Sequence, residues 1–109
     1  MKESLGNLEE CVLLLIMIEE GAYAVSIANA YEEQSGRPIA VPTIHVVLKR
    51  LEQKGFLTSY MGAATSERGG RRKRIFEPTP YAYKVIAQLR QTRLKLWSLI
   101  PTNLDLYHG

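Results

Sequence analysis

Two groups of side chains in this chain have types and spacing suited to a polyanion. The first lies between Pro42 and Gly55 and comprises Thr43, His45, Val46, Lys49 and Arg50. A hydroxyl, an imidazole, two cations and one valine offer hydrogen bonds to phosphates and base edges, and an apolar contact for a thymine methyl. An ordinary amphipathic helix with a solvated face is the alternative. The second group is Arg68, Arg71, Arg72, Lys73 and Arg74, five cations within seven residues. Gly69-Gly70 inside it permits tight turning and close backbone approach to a ligand. Crowded like charges repel one another and gain nothing from a fold, so phosphate contact is one reading and a disordered, solubilising loop is the other.

Other chemistry is hard to assemble. His45, His108 and Cys11 lie far apart without metal-ligand spacing, and Asp105 is the sole aspartate, which excludes a paired-aspartate site. There is no phosphate-binding loop, nucleophile elbow or dinucleotide fingerprint, so neither an enzyme nor a cofactor is expected. Cys11 reads as a small packed hydrophobe, with a redox sensor as the alternative. A single cysteine cannot form an internal disulfide, so nothing demands an oxidising compartment. Acids surround the first apolar run, unlike a secretory signal, and Cys11 to Ile18 is too short to span a bilayer. A cytoplasmic protein without a membrane partner is expected.

Charge is distributed unevenly along the 109 residues, although the net charge is only +3. Residues 1–41 hold two cations against seven acids, whereas residues 42–95 hold twelve cations against three acids, Glu52, Glu67 and Glu77. A polyanion would meet the second segment and avoid the first. With 46% hydrophobic and 23% charged residues, the composition suits one globular domain, small enough that an oligomeric partner would help its stability.

These groups need elements to carry them. Ile44, Val47, Leu48 and Leu51 fall at i, i+3, i+4 and i+7, which predicts a helix with one buried face. Pro42 suits its first turn and Gly55 a left-handed C-cap. Upstream, a helix is expected over Leu5 to Glu20, capped by Ser4 and ended by Gly21. Its run Val12 to Ile18 is apolar all round, which fits either a wholly internal helix or one held between its own core and a second subunit. A second helix is expected over Tyr23 to Gln34, and Arg37 to Val41 forms an extended connector. Two short helices leading into a basic third make a helix-turn-helix arrangement.

After Gly55 the period changes. Phe56 to Met61 reads as a strand, Gly62 to Arg72 as a polar loop, and Lys73 to Glu77 as the returning strand stopped by Pro78. The hairpin would present the five cations as a wing beside the basic helix. A last helix is expected from Tyr81 to Ile100, stopped by Pro101. Along it Ala82, Ile86, Leu89, Arg93, Leu96 and Ile100 follow 4-3-4-3-4 spacing, a coiled-coil seam broken only by Arg93, with Val85 and Trp97 widening the stripe. Another copy of the chain is the economical partner, and packing back on the first helix is the alternative. Residues 102–109 lack a period and read as a loose tail.

The runs Leu5-Gly6-Asn7-Leu8-Glu9, Ala22-Tyr23, Leu48 to Glu52 with Gly55-Phe56-Leu57, and Gly70 to Phe76 leading to Thr79 resemble the PadR-like family of winged-helix transcriptional regulators. The resemblance covers roughly residues 5–100. It implies a mainly α fold with a small β-hairpin: a winged helix-turn-helix over 1–79 and a C-terminal dimerisation helix over 80–101. It also implies a homodimeric DNA-binding repressor, with the third helix in the major groove, the wing on the phosphate backbone, and the last helix dimerising against the first. His45 and Val46 stand where the family usually has tyrosine and proline. Ala82 stands where it has glycine, and the helix pair that often extends the C-terminus is absent.

The expected partners are therefore duplex DNA with a pseudo-palindromic operator, and a second copy of the chain. Thr43, His45, Val46, Lys49 and Arg50 are expected in the groove, and Arg68, Arg71, Arg72, Lys73 and Arg74 on phosphates. Leu8, Val12, Leu15, Ile86, Leu89, Leu96 and Trp97 are expected at the dimer interface. Two rivals remain: a winged helix whose basic face docks an acidic protein, and a sensor of apolar small molecules in a dimer pocket near Trp97.

Overall fold

The computed structural model describes residues 4–63 and 72–101. Its elements run in the order α1 (Asn7–Ile18), α2 (Ala24–Ser35), α3 (Val41–Gln53), β1 (Leu57–Met61), β2 (Arg74–Pro78) and α4 (Pro80–Ser98). The chain is mainly helical with one antiparallel two-stranded hairpin, the architecture expected from the sequence.

Local chemistry sets the helix ends. α1 begins at Asn7 rather than Leu5, and Ser4 does not cap it. Gly6 occupies the cap position, and its N–H donates to the Glu9 carboxylate at 2.8 Å. A side-chain acceptor three residues on satisfies an amide that has no helical partner. Ser26 plays the equivalent part for α2, accepting from the Tyr23 N–H at 3.0 Å. At the end of α3, Gly55 adopts φ 84° and donates to the Glu52 carbonyl, while Phe56 N–H reaches back to Leu51. This paired closure needs a left-handed residue, which glycine supplies without a Cβ penalty. Phe56 is thereby turned straight into the core.

The core lies where the first three helices meet the hairpin. Phe56, Leu13, Ile27, Ile44, Leu48, Leu51 and Val12 are the largest of its wholly buried side chains. Each contributes about 1.5–3 kcal/mol on removal from water. The hairpin pairs Leu57 with Pro78, Ser59 with Phe76 and Met61 with Arg74. Its buried face carries Leu57 and Phe76. Phe76 N–H also donates to the Ala22 carbonyl at 2.9 Å, stitching the hairpin to the α1–α2 connection.

Thr79 fastens α4 to this body. Its hydroxyl accepts from Ala82 N–H at 3.1 Å, capping the helix, and donates to the Gly55 carbonyl at 2.8 Å. Its own N–H donates to the Phe56 carbonyl, and the Phe56 and Tyr81 rings stack 5.0 Å apart. Ala82 is buried and Val85, Ile86 and Leu89 are half-buried, but residues 90–101 are exposed throughout. α4 is thus packed against the domain at its first turns, and beyond them it is tied to α1 by the Arg93–Glu10 ion pair while its apolar side chains stay exposed.

Candidate nucleic-acid interface

α3 uses Ile44, Val47, Leu48 and Leu51 to enter the core, so its remaining sides face outward. Thr43, His45, Val46, Lys49 and Arg50 are all exposed and together occupy that outer surface. Val46 is 52% exposed. About half of this β-branched apolar side chain is open to water, which leaves it available to a ligand.

The hairpin begins beside the C-terminal turn of α3 and brings basic residues to the same region. Arg72, Lys73 and Arg74 are described, whereas Arg68 and Arg71 lie outside the described residues. Each described wing cation has a partner within the chain. Arg72 donates to the Gly62 carbonyl at 3.0 Å and the Met61 carbonyl at 3.3 Å. The Lys73 ammonium sits over the Tyr23 ring, 4.2 Å from its centroid. Arg74 donates to Ser59 Oγ at 3.1 Å, and Ser59 in turn donates to Glu52 on α3 at 2.7 Å. Sequence reasoning missed Glu52, Ser59 and Tyr23, because no local period announces a contact made across the hairpin.

Glu9 is the one buried acid among the described residues. Burial pushes its carboxyl pKa up. The Gly6 N–H, the Lys54 ammonium at 2.8 Å and the nearby Arg50 charge pull it down, and the net result lies below the usual carboxylate value. Lys54 also donates to the Ser4 carbonyl at 2.9 Å. The end of α3 is therefore pinned to the start of α1, and Lys54 is a structural cation.

The surfaces expected to dimerise divide in two. Val12 and Leu15, expected at an interface, are buried in the chain's own core instead. The outward stripe of α1 is Cys11, Leu14 and Ile18, so the expectation that Cys11 packs as a buried hydrophobe is also corrected. A run apolar on every side gives no phase, and the packing of α2 and α3 selects which side turns inward. Leu8, Ile86 and Leu89 are half-buried, while Leu96 and Trp97 are exposed. Arg93 does not simply interrupt the α4 seam, because its guanidinium reaches Glu10 on α1 at 2.6 Å. Beside α4 an open groove of about 560 Å³ is lined by Leu5, Tyr81, Lys84, Val85, Leu89 and Thr92 among others. Trp97 is not among the residues that line this groove of the single chain.

Among the described residues no three His, Cys, Asp or Glu side chains gather as a metal site. No described helix is long and apolar enough to cross a membrane.

Three helices, a hairpin packed against the third, and a fourth helix leaving the hairpin define a winged-helix protein. Solved structures share this arrangement over most of the chain. A PadR-family transcription regulator from hypervirulent Clostridium difficile superposes with a TM-score of 0.71 at 19% identity, covering 86% of this chain and 94% of that one. A PadR-like transcription factor from Bacteroides fragilis gives 0.71 at 23% identity, covering 84% of each chain. A PadR-like regulator from Bacillus cereus gives 0.70 at 18% identity, covering 94% of this chain and 92% of that one. No family model matches the sequence, and no curated protein matches it. The likeness is one of fold: the chain has the winged-helix architecture of PadR-family regulators.

Proposed function

We propose that the protein is a homodimeric, sequence-specific DNA-binding transcription regulator acting as a repressor. Residues 1–79 form the DNA-binding domain and residues 80–101 the dimerisation helix. α3 enters the major groove with Thr43, His45, Val46, Lys49 and Arg50 toward base edges and phosphates. The wing lies on the backbone and supplies affinity that depends little on sequence, with Arg68 and Arg71 among its phosphate contacts. The observation that carries this reading is the exposed polar face of α3 beside a basic hairpin, in a fold shared with transcription regulators.

The second copy covers the exposed half of α4. Leu94, Leu96 and Trp97 on it, with Leu99 and Ile100 just past its end, are all exposed, a larger apolar surface than a small domain ordinarily leaves wet. Leu14 and Ile18 on α1 extend it.

The test is titration of the purified protein with random duplex DNA across a range of salt, followed by selection of bound genomic fragments. The expected result is salt-dependent binding of random duplex and tighter binding of fragments carrying an inverted repeat. Failure to bind any duplex, with capture of an acidic protein in its place, would assign the basic face to protein recognition.

A further inference from the structure

Glu52 is out of place on electrostatic grounds. It lies in the last turn of α3, where the helix dipole disfavours an acid. It is also one of only three acids among residues 42–95, the most basic part of the chain. An acid beside a surface meant for a polyanion weakens binding through simple charge repulsion, so its presence calls for a compensating role. The hairpin supplies one. Glu52 Oε2 accepts from Ser59 Oγ at 2.7 Å, and Ser59 Oγ accepts from Arg74 Nη1 at 3.1 Å.

The geometry of the hairpin makes this chain possible. Ser59 pairs with Phe76, and Met61 pairs with Arg74. Ser59 and Arg74 are therefore diagonal neighbours on one face of the hairpin, within reach of a long side chain. The hydroxyl uses its single proton toward the carboxylate and a lone pair toward the guanidinium, so it joins an anion to a cation without a direct pair. Both of its bonds carry an ionised partner, which makes each stronger than a neutral one. It spans α3, β1 and β2, tying the last turn of the helix to the Met61–Arg74 end of the hairpin, from which the wing tip continues.

We infer that Glu52 and Ser59 are positioning residues for nucleic-acid recognition: through Arg74 they hold the wing at a fixed angle to α3. Arg74 is then a brace, and phosphate contact falls to other cations of the wing. The inference rests on α3 and the hairpin being the DNA-binding surface proposed above.

The two ideas about Glu52 predict opposite signs. If its charge merely repels DNA, Glu52→Ala tightens binding to every duplex. If it positions the wing, Glu52→Ala weakens binding to a selected operator although the protein has become more positive. Ser59→Ala weakens it similarly, by about five- to tenfold, and the double variant is no worse than either single one, because residues in one network are not additive. Ser59→Thr and Glu52→Gln keep a donor or an acceptor and restore most of the affinity. Arg74→Ala behaves like Ser59→Ala and leaves the salt slope unchanged.

Tighter binding by Glu52→Ala, additive losses in the double variant, or a slope reduced by Arg74→Ala with no effect of Ser59→Ala would each overturn the relay. Amide hydrogen exchange of the free protein supplies a readout independent of DNA. Ser59→Ala should speed exchange across β1 and β2, including the Gly62 N–H bonded to the Lys73 carbonyl, while α1 and α2 keep their protection. Unchanged hairpin exchange overturns the inference even where operator affinity has fallen. A wild-type protein that binds no duplex, with hairpin exchange quickened by Ser59→Ala, overturns the DNA reading and leaves the brace standing.

Discussion

Single side chains on α3 carry two distinct tasks, and substitution separates them. Val46 stands in solvent, so Val46→Ser should leave the urea midpoint of the free protein nearly unchanged. In the complex it should lose about 1 kcal/mol of discrimination at one base pair, as expected for a missing contact to a thymine methyl. A large loss of fold stability would instead show Val46 to be core. Glu9 has the opposite character. Its pKa is lower in the folded protein than in the unfolded chain, so the stability that it contributes is complete above the unfolded value and disappears as pH falls through the folded one. Glu9→Gln should cost about 1–2 kcal/mol at neutral pH, and the difference should shrink as pH falls through the depressed folded-state titration of the carboxyl. Urea midpoints for both proteins across that window check the sign: curves that run parallel from neutral to acid pH would show that the Gly6 and Lys54 contacts do not favour the ionised form. The type and spacing of Val46, Lys49 and Arg50 were legible in the α3 pattern. The role of Glu9 was not, because its partner Lys54 lies 45 residues away.

Elements are positioned by their junctions. The ends of α3 could be read from Pro42 and Gly55, since both residues act through their own backbone dihedrals. The junction between the hairpin and α4 depends on Thr79, which was visible only as a residue of the family resemblance. In the structure it bonds both Ala82 and Gly55 and so joins α4 to the end of α3. Thr79→Val preserves the shape and removes the hydroxyl, so it should cost about 1–2 kcal/mol in urea unfolding, the magnitude of a lost helix cap. Thr79→Ser should recover most of that. Equal stability in all three proteins would mean that Pro80 and the Phe56–Tyr81 stack define the junction without the hydroxyl. The wing cations make a related point: sequence shows that they cluster, and the fold shows that Arg72 and Arg74 are spent partly on β1.

At the scale of the whole molecule, α4 leaves the domain with its apolar residues uncovered. Covering Leu96, Trp97 and their neighbours would contribute several kcal/mol at roughly 25 cal/mol per Å², before association entropy is subtracted. Trp97→Asp places a charge on this exposed stripe without touching the core. It should give a folded monomer in sedimentation, with operator affinity reduced by about a hundredfold through loss of the second linked half-site. A variant that stays dimeric would move the interface to the Cys11, Leu14 and Ile18 side of α1. A monomer that binds the operator at full strength would break the link between dimerisation and recognition.

The sequence by itself determined the order of elements, the polar face of α3, the basic character of the hairpin and the apolar stripe of α4. These features follow from short-range period, glycine and proline geometry, and charge along the chain, all of which are local. Only the tertiary structure decided which side of α1 turns inward. Every side of Val12 to Ile18 is apolar, and α2 and α3 must be in place before Val12 and Leu15 enter the core and Cys11 and Leu14 face out. The tertiary structure also decided that Glu52, Ser59 and Arg74 meet. Their contact depends on a strand register and a helix end brought together by folding, and side-chain hydrogen bonds between distant residues leave no period in the sequence.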